Sequence, residues 1–177
     1  MTATGAPDVP GGAPAGAAAH DTIAAALIEN GLEFSSPAQG QFFVRLPGQH
    51  KLATNCWLVA GRHALLVEAF VVRKPDENVE EFYRFLLRRN SRLYGVAFAV
   101  DKAGDVYLVG RLALHSISAE EIDRLLGCVL QYADESFDPL LEIGFASSIR
   151  REWAWRAKRG ESLANLQAFA RFADPDR

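Results

Sequence analysis

Cysteine is scarce in this chain. Its 177 residues hold only Cys56 and Cys128, far apart, in segments that read as a strand and a helix. Without a CxxC pair there is neither a zinc-site nor a redox spacing. The two thiols read as small buried apolar groups of a reducing compartment. A basic excess is lacking too. Lys and Arg number 19 against 22 Asp and Glu, for a net charge of −3 and a pI near 5.8. A domain that grips phosphate backbones carries the opposite balance, so nucleic acid is an unexpected partner. No apolar run approaches the roughly 20 residues that span a bilayer. Met1–Ala19 is rich in Ala, Gly and Pro but has no Lys, Arg or Leu/Ile/Phe-rich stretch. That composition predicts a disordered leader over residues 1–19 and not a secretory signal.

Catalytic patterns are equally thin. GxSxG, GxGxxG and GxxxxGK[ST] do not occur. The four histidines, His20, His50, His63 and His115, stand in the leader, in turns and in a loop, with no second ligand at metal spacing. No metal, cofactor or catalytic constellation is implied. Ser147 and Ser148, beside two arginines, fit a helix cap better than a nucleophile.

What is present is the patterning of a folded domain, with 49% hydrophobic and 23% charged residues. A helix is predicted over Asp21–Asn30, stopped by Gly31, and a loop over Glu33–Gly40. Strands follow over Gln41–Leu46, Ala53–Ala60 and Ala64–Val72. The last is apolar on nearly both faces, which predicts a central strand covered on both sides. A second helix over Pro75–Arg92, strands over Tyr94–Val100 and Asp105–Leu114, and a helix from Ser118 come next. Asp138-Pro139 is expected to end that helix and cap a short one. Further helical pieces cover Ile149–Lys158 and Ser162–Ala173. The expected fold is α+β: an antiparallel five-stranded sheet flanked by helices, in the order α-β-β-β-α-β-β-α, plus a C-terminal helical extension. The domain proper spans residues 20–159, with a helical tail over 160–177.

Three features invite a functional reading. Glu68 lies in the most apolar strand, where a charge needs a partner, and Arg45 or Arg111 on neighbouring strands can supply it. Arg84 and Arg88, with Arg92, repeat at i,i+4 on the second helix. Arg84, Arg88 and Arg111 form a candidate anion site for a small molecule or phosphate. Arg150, Arg151, Trp153, Trp155 and Arg156 interleave Arg with Trp, the commonest interface anchors, and are the candidate partner-binding residues. The two tryptophans can equally be buried under the Leu163–Phe172 tail. A hydrolase centred on Glu68 or Cys56 is a third reading.

Four segments carry a family resemblance: Phe85–Leu93 (FLLRRNSRL), Asp105–Leu112 (DVYLVGRL), Tyr132–Phe137 (YADESF) and Ile149–Arg156 (IRREWAWR). Together they resemble the YbjN-like family, in its actinobacterial form, over roughly Asp21–Arg156. That family is similar in fold to type III secretion chaperones. The reduced thiols and the lack of a secretory signal make the cytoplasm the expected compartment. The resemblance implies a small α+β domain with a tendency to homodimerise and to hold a partner protein or peptide. It also implies a label of sensory transduction regulator, and no catalytic residues.

Overall fold

The structure is a computed structural model, and it describes residues 17–160 together with Ser162 and Ala170. The predicted leader and the predicted tail helix over Ser162–Ala173 lie, but for those few residues, outside the described part.

The elements run α1 (Ala17–Glu29), β1 (Glu33–Ala38), β2 (Gln41–Pro47), β3 (Ala53–Ala60), β4 (Ala64–Val72), α2 (Val79–Asn90), β5 (Ala97–Val100), β6 (Val106–Ala113), a single 3-10 turn at Leu114–Ser116, and α3 (Ala119–Arg159). The sheet has six strands, not the expected five, in the order β1-β2-β3-β4-β6-β5, and every pair is antiparallel. The strand missed by the sequence reading is β1, predicted as a loop. Only Phe34 within it turns toward the protein; its other five residues are exposed. A border strand needs few apolar residues, and it tolerates Pro37, whose missing N–H would break an inner ladder.

Strands β3 and β4 begin and end where the alternation predicts. Their inward residues, Cys56, Leu58, Leu65, Val67 and Ala69, are completely buried, as are Phe42 and Val44 on β2 and Leu108 on β6. The helices close over this one face through Ile23 and Leu27, Phe82 and Leu86, and the stripe from Ile122 to Phe145. Among the described residues no helix covers the other face. The expectation that β4 is covered on both sides is therefore corrected: Leu66, Glu68 and Phe70 are only half-buried.

The second large correction is α3. It does not stop at Asp138-Pro139 but runs 41 residues, about 60 Å at ~1.5 Å per residue. Pro139 removes one helical N–H, a defect that usually costs about 3 kcal/mol inside a helix. Burial of Leu140, Leu141 and Phe145 just beyond it, at about 2 kcal/mol per side chain, offsets that cost. Ser118 caps the start by accepting from the Glu121 N–H at 3.2 Å. Gly160, at φ +65°, ends the helix in the left-handed turn that glycine allows.

Helix α2 starts at Val79, the first residue of its apolar pattern, and not at Pro75 as predicted, because α3 holds the segment before it. The N–H groups of Asp76 and Glu77 both donate to the Gly144 carbonyl, at 2.9 and 3.2 Å. Asn78 Nδ2 donates to Ile143 O at 3.0 Å. A Cβ on Gly144 would lie 2.8 Å from the Phe82 ring and 2.9 Å from Pro75. Ser147 and Ser148 therefore sit in mid-helix, not at a cap. Ser147 donates its N–H and its hydroxyl to Glu77, each at 2.7 Å, and Ser148 Oγ donates to Asp76 at 2.8 Å.

His20 also moves out of the expected leader into α1. Its Nδ1 accepts the Gly40 N–H at 3.0 Å, and its ring stacks on Phe42, 4.8 Å between centroids. None of the described helices is long and apolar enough to cross a membrane.

Candidate interaction face

Side chains alternate across a strand, so the same pairing that buries one face of the sheet lays out the other. Ser35, Phe43, Trp57, Glu68, Val109 and Ala97 form one row across all six strands. Gln41, Val59, Leu66 and Arg111 form a second row, and Phe70, Tyr107 and Ala99 a third. Phe43 and Trp57 lie 5.0 Å apart between ring centroids. Phe70 and Tyr107 meet edge-on at 5.5 Å. Phe43, Trp57, Leu66, Phe70, Tyr107 and Val109 are all half-buried by one another, and none belongs to the core under the helices. A contiguous apolar surface of that kind, rimmed by polar residues, marks an interaction site.

Glu68 sits in the middle of this face, opposite Trp57 on one side and Val109 on the other. Burial among these neighbours pushes its carboxyl above the usual range, and the charge of Asp101 pushes the same way. Neither expected partner reaches it: Arg45 pairs with Glu33 at 3.8 Å, and Arg111 lies beside Leu66 with no ion pair among the described residues. Cys56 is on the opposite face, fully buried, with its thiol pushed up to about 12 by burial. Glu68 and Cys56 therefore share no site, and a thiol held neutral is a poor nucleophile.

The predicted basic residues fall into separate places. Arg84 ion-pairs with Glu80 on the outer side of α2. Arg88 bridges that side and a cavity of about 620 Å³ between α2 and α3, whose wall also holds Phe85, Arg89, Arg92 and Tyr132. Arg89 is fixed there by Glu135 at 2.8 Å. Arg111 is on β6, on the open face, so the trio Arg84, Arg88 and Arg111 is not assembled. Arg89 belongs to the same basic cluster in the sequence, but it stands outside the i,i+4 series and was not among the candidate anion residues. Only its contact with Glu135, 46 residues on, turns it toward the cavity.

The last turns of α3 project beyond the packed body. Arg150 and Arg151 are exposed, and each donates to the serine three residues before it. Arg156 pairs with Glu152 at 2.6 Å. Trp155 is 50% exposed under the Arg159 guanidinium at 4.7 Å, and Trp153 is half-buried. Of the five predicted partner-binding residues, Arg151 and Trp155 line one cleft of about 540 Å³ with Arg73, Asp76, Ser148 and Glu152. Arg150, Trp153 and Arg156 do not line it. Asp76 in that cleft is held at about 2, chiefly by two 2.7 Å bonds from Arg73 and then by Ser148. Among the described residues no group of three His, Cys, Asp or Glu side chains is placed to hold a metal.

Among the described residues, six antiparallel strands, three helices on one face and an aromatic surface that no helix covers on the other define a one-sided α+β protein. A chain of the ExsC–ExsE complex has this fold. It aligns with a TM-score of 0.52 and 20% identity, over 72% of this chain and 97% of that one. The Yersinia pestis type III secretion chaperone SycH, solved with a fragment of YscM2, aligns at 0.49 and 19%, over 65% and 96%. By sequence the chain belongs to the YbjN family, described as "Putative bacterial sensory transduction regulator", whose profile matches residues 19–142. The uncharacterized protein Rv0487 of Mycobacterium tuberculosis is 55% identical over 81% of this chain and 84% of its own length. The uncharacterized protein ML2442 of Mycobacterium leprae is 51% identical over 89% and 92%.

Proposed function

We propose that this protein is a cytoplasmic, non-enzymatic binding module that works as a homodimer and holds a partner protein or peptide. The observation that carries this reading is the uncovered sheet face. A monomeric domain gains nothing from leaving Phe43, Trp57, Leu66, Phe70 and Tyr107 in contact with water, and a partner polypeptide laid on them buries them. The shared fold with a chain solved as the ExsC–ExsE complex supports a two-protein assembly. Arg151 and Trp155, at the overhanging end of α3, supply a second anchoring point for the same partner. Leu87 on α2 and Val100 on β5, 70% and 51% exposed on adjoining elements, support self-association on that flank.

The dimer is tested by light scattering on purified protein, with an expected mass of twice the chain; a strict monomer at tens of micromolar removes it. Partner binding is tested by capture from native cells with wild-type protein and with Phe43→Ser and Leu66→Ser variants. A partner held by all three forms alike does not use this face and refutes the reading.

The cavity between α2 and α3 favours a second reading, an anion-binding sensor. Three arginines there, Arg88, Arg89 and Arg92, repel one another within little more than a turn, and a phosphate-bearing molecule relieves that repulsion. Titration with pyrophosphate should then raise the melting temperature of the wild type and not of Arg88→Ala/Arg92→Ala.

A further inference from the structure

Glu68 poses a problem that the described residues do not solve. A half-buried carboxylate among Trp57, Leu66 and Val109 loses solvation, and among the described residues no cation or hydrogen-bond donor compensates. Its nearest charged neighbour in electrostatic effect is another acid, Asp101. Burying a lone charge further, under a purely apolar partner, would cost more than the apolar contact returns. A partner that brings its own cation turns that cost into a charge-assisted hydrogen bond in a dry setting.

We infer that the open sheet face selects an apolar polypeptide segment of a partner protein that carries one lysine or arginine, seated over Glu68. This rests on the reading of the face as a protein-docking surface and adds the chemistry of what docks. An acidic or phosphorylated segment meets Glu68 and Asp101 and is rejected. A second copy of this chain laid face to face brings Glu68 and Asp101 of both molecules together, unless Arg111 of each lines up with Glu68 of the other.

The experiment selects phage-displayed random 16-residue peptides against the immobilised full chain, in parallel with Glu68→Lys, both first checked for native circular dichroism and melting. Wild type is expected to enrich apolar peptides with a central Lys or Arg, and Glu68→Lys to enrich Asp or Glu at that place. A synthetic wild-type consensus peptide, followed by fluorescence anisotropy, should lose about tenfold or more in affinity when either charge alone is reversed, and regain it when both are. Peptides that bind wild type but not Phe43→Ser, with no charge preference, overturn this inference and leave the docking surface standing. Peptides indifferent to Phe43→Ser, or no enrichment, overturn both.

Two further variants settle rival occupants. Glu68→Lys and Arg111→Glu should each leave the oligomeric state unchanged; loss of the dimer in each and its return in the double variant assigns the face to a second copy. The chain's own residues Ala170-Arg171-Phe172 also combine apolar and basic character. Arg171→Glu should leave peptide affinity unchanged, and a rise would assign the face to that segment instead.

Discussion

Lys51 bonds to the Phe70 carbonyl at 2.5 Å, with its ammonium 5.1 Å from the Phe70 ring centroid and 6.0 Å from that of Phe137. Burial pulls it down to about 8, against the charge of Asp134, which pulls it up. The unfolded chain holds this proton up to about pH 10.5, so between pH 8 and 10.5 it binds more protons than the folded one. Stability therefore rises with pH across that window. At neutral pH the buried charge costs roughly 3 kcal/mol by the size of the shift. Lys51→Met should raise stability at pH 7 by about 1–2 kcal/mol, less than the full cost because the bond to Phe70 O is lost. It should also flatten the rise from pH 8 to 10.5, and urea unfolding at several pH values checks both. Asp76 works with the opposite sign. Held at about 2 by Arg73, it stabilises the fold above its ordinary value near 4, and that contribution fades as pH falls from 4 to 2. Asp76→Asn should remove this part of the acid transition.

At the scale of elements, Gly144 and Asn90 carry the structure where patterning says little. Gly144→Val should cost several kcal/mol, since its side chain would press on Phe82 and Pro75 and push the α2 entry off α3; thermal melting reads the loss. Asn90 at the end of α2 donates Nδ2–H to the Phe98 carbonyl at 3.1 Å and accepts the Phe98 N–H at 2.7 Å. Its carboxamide thus satisfies the outward-facing backbone of Phe98 in β5. Asn90→Ala should lower stability by about 1–3 kcal/mol and produce species larger than those of the wild type, growing with concentration in sedimentation, because a free strand edge pairs with its like.

The same scale shows what the chain could and could not reveal. Ala53–Ala60 and Ala64–Val72 were legible because short apolar, β-branched runs are bounded there by turn residues, although Val59–Ala60 and Val71–Val72 are buried side by side rather than in alternation. Glu33–Ala38 was not, because an edge strand is defined by backbone pairing with β2 rather than by apolar residues. Asp138-Pro139 looked like a stop because local propensity favours one there. The buried stripe on both sides of it, with Phe137 packed against the same core, belongs to one packing surface, and tertiary contact prevailed. Glu68 was singled out correctly as anomalous; its isolation was illegible, since the register that sets Val109 rather than Arg111 opposite it exists only in the folded sheet.

For the molecule as a whole, every helix from α1 to α3 lies on one side of the sheet. That asymmetry makes the bare face the place where substitution changes binding more than folding. Phe43→Ser with Leu66→Ser should leave the far-UV spectrum intact and change the melting temperature by only a few degrees, while abolishing partner capture. A collapse of the fold instead would show that this face belongs to the core.

The amide of Asn90 has one more effect. It occupies one border of the sheet at Phe98 and leaves β1, with Ser35–Ala38 exposed, as the freer one. A ribbon hindered at one margin takes a strand, or meets a copy of itself, more readily at the other, and extends poorly beyond that. Such a protein can stay chronically sticky on its flat side with little tendency to seed fibres, since each association along the hydrogen-bonding direction leaves only the hindered border for the next.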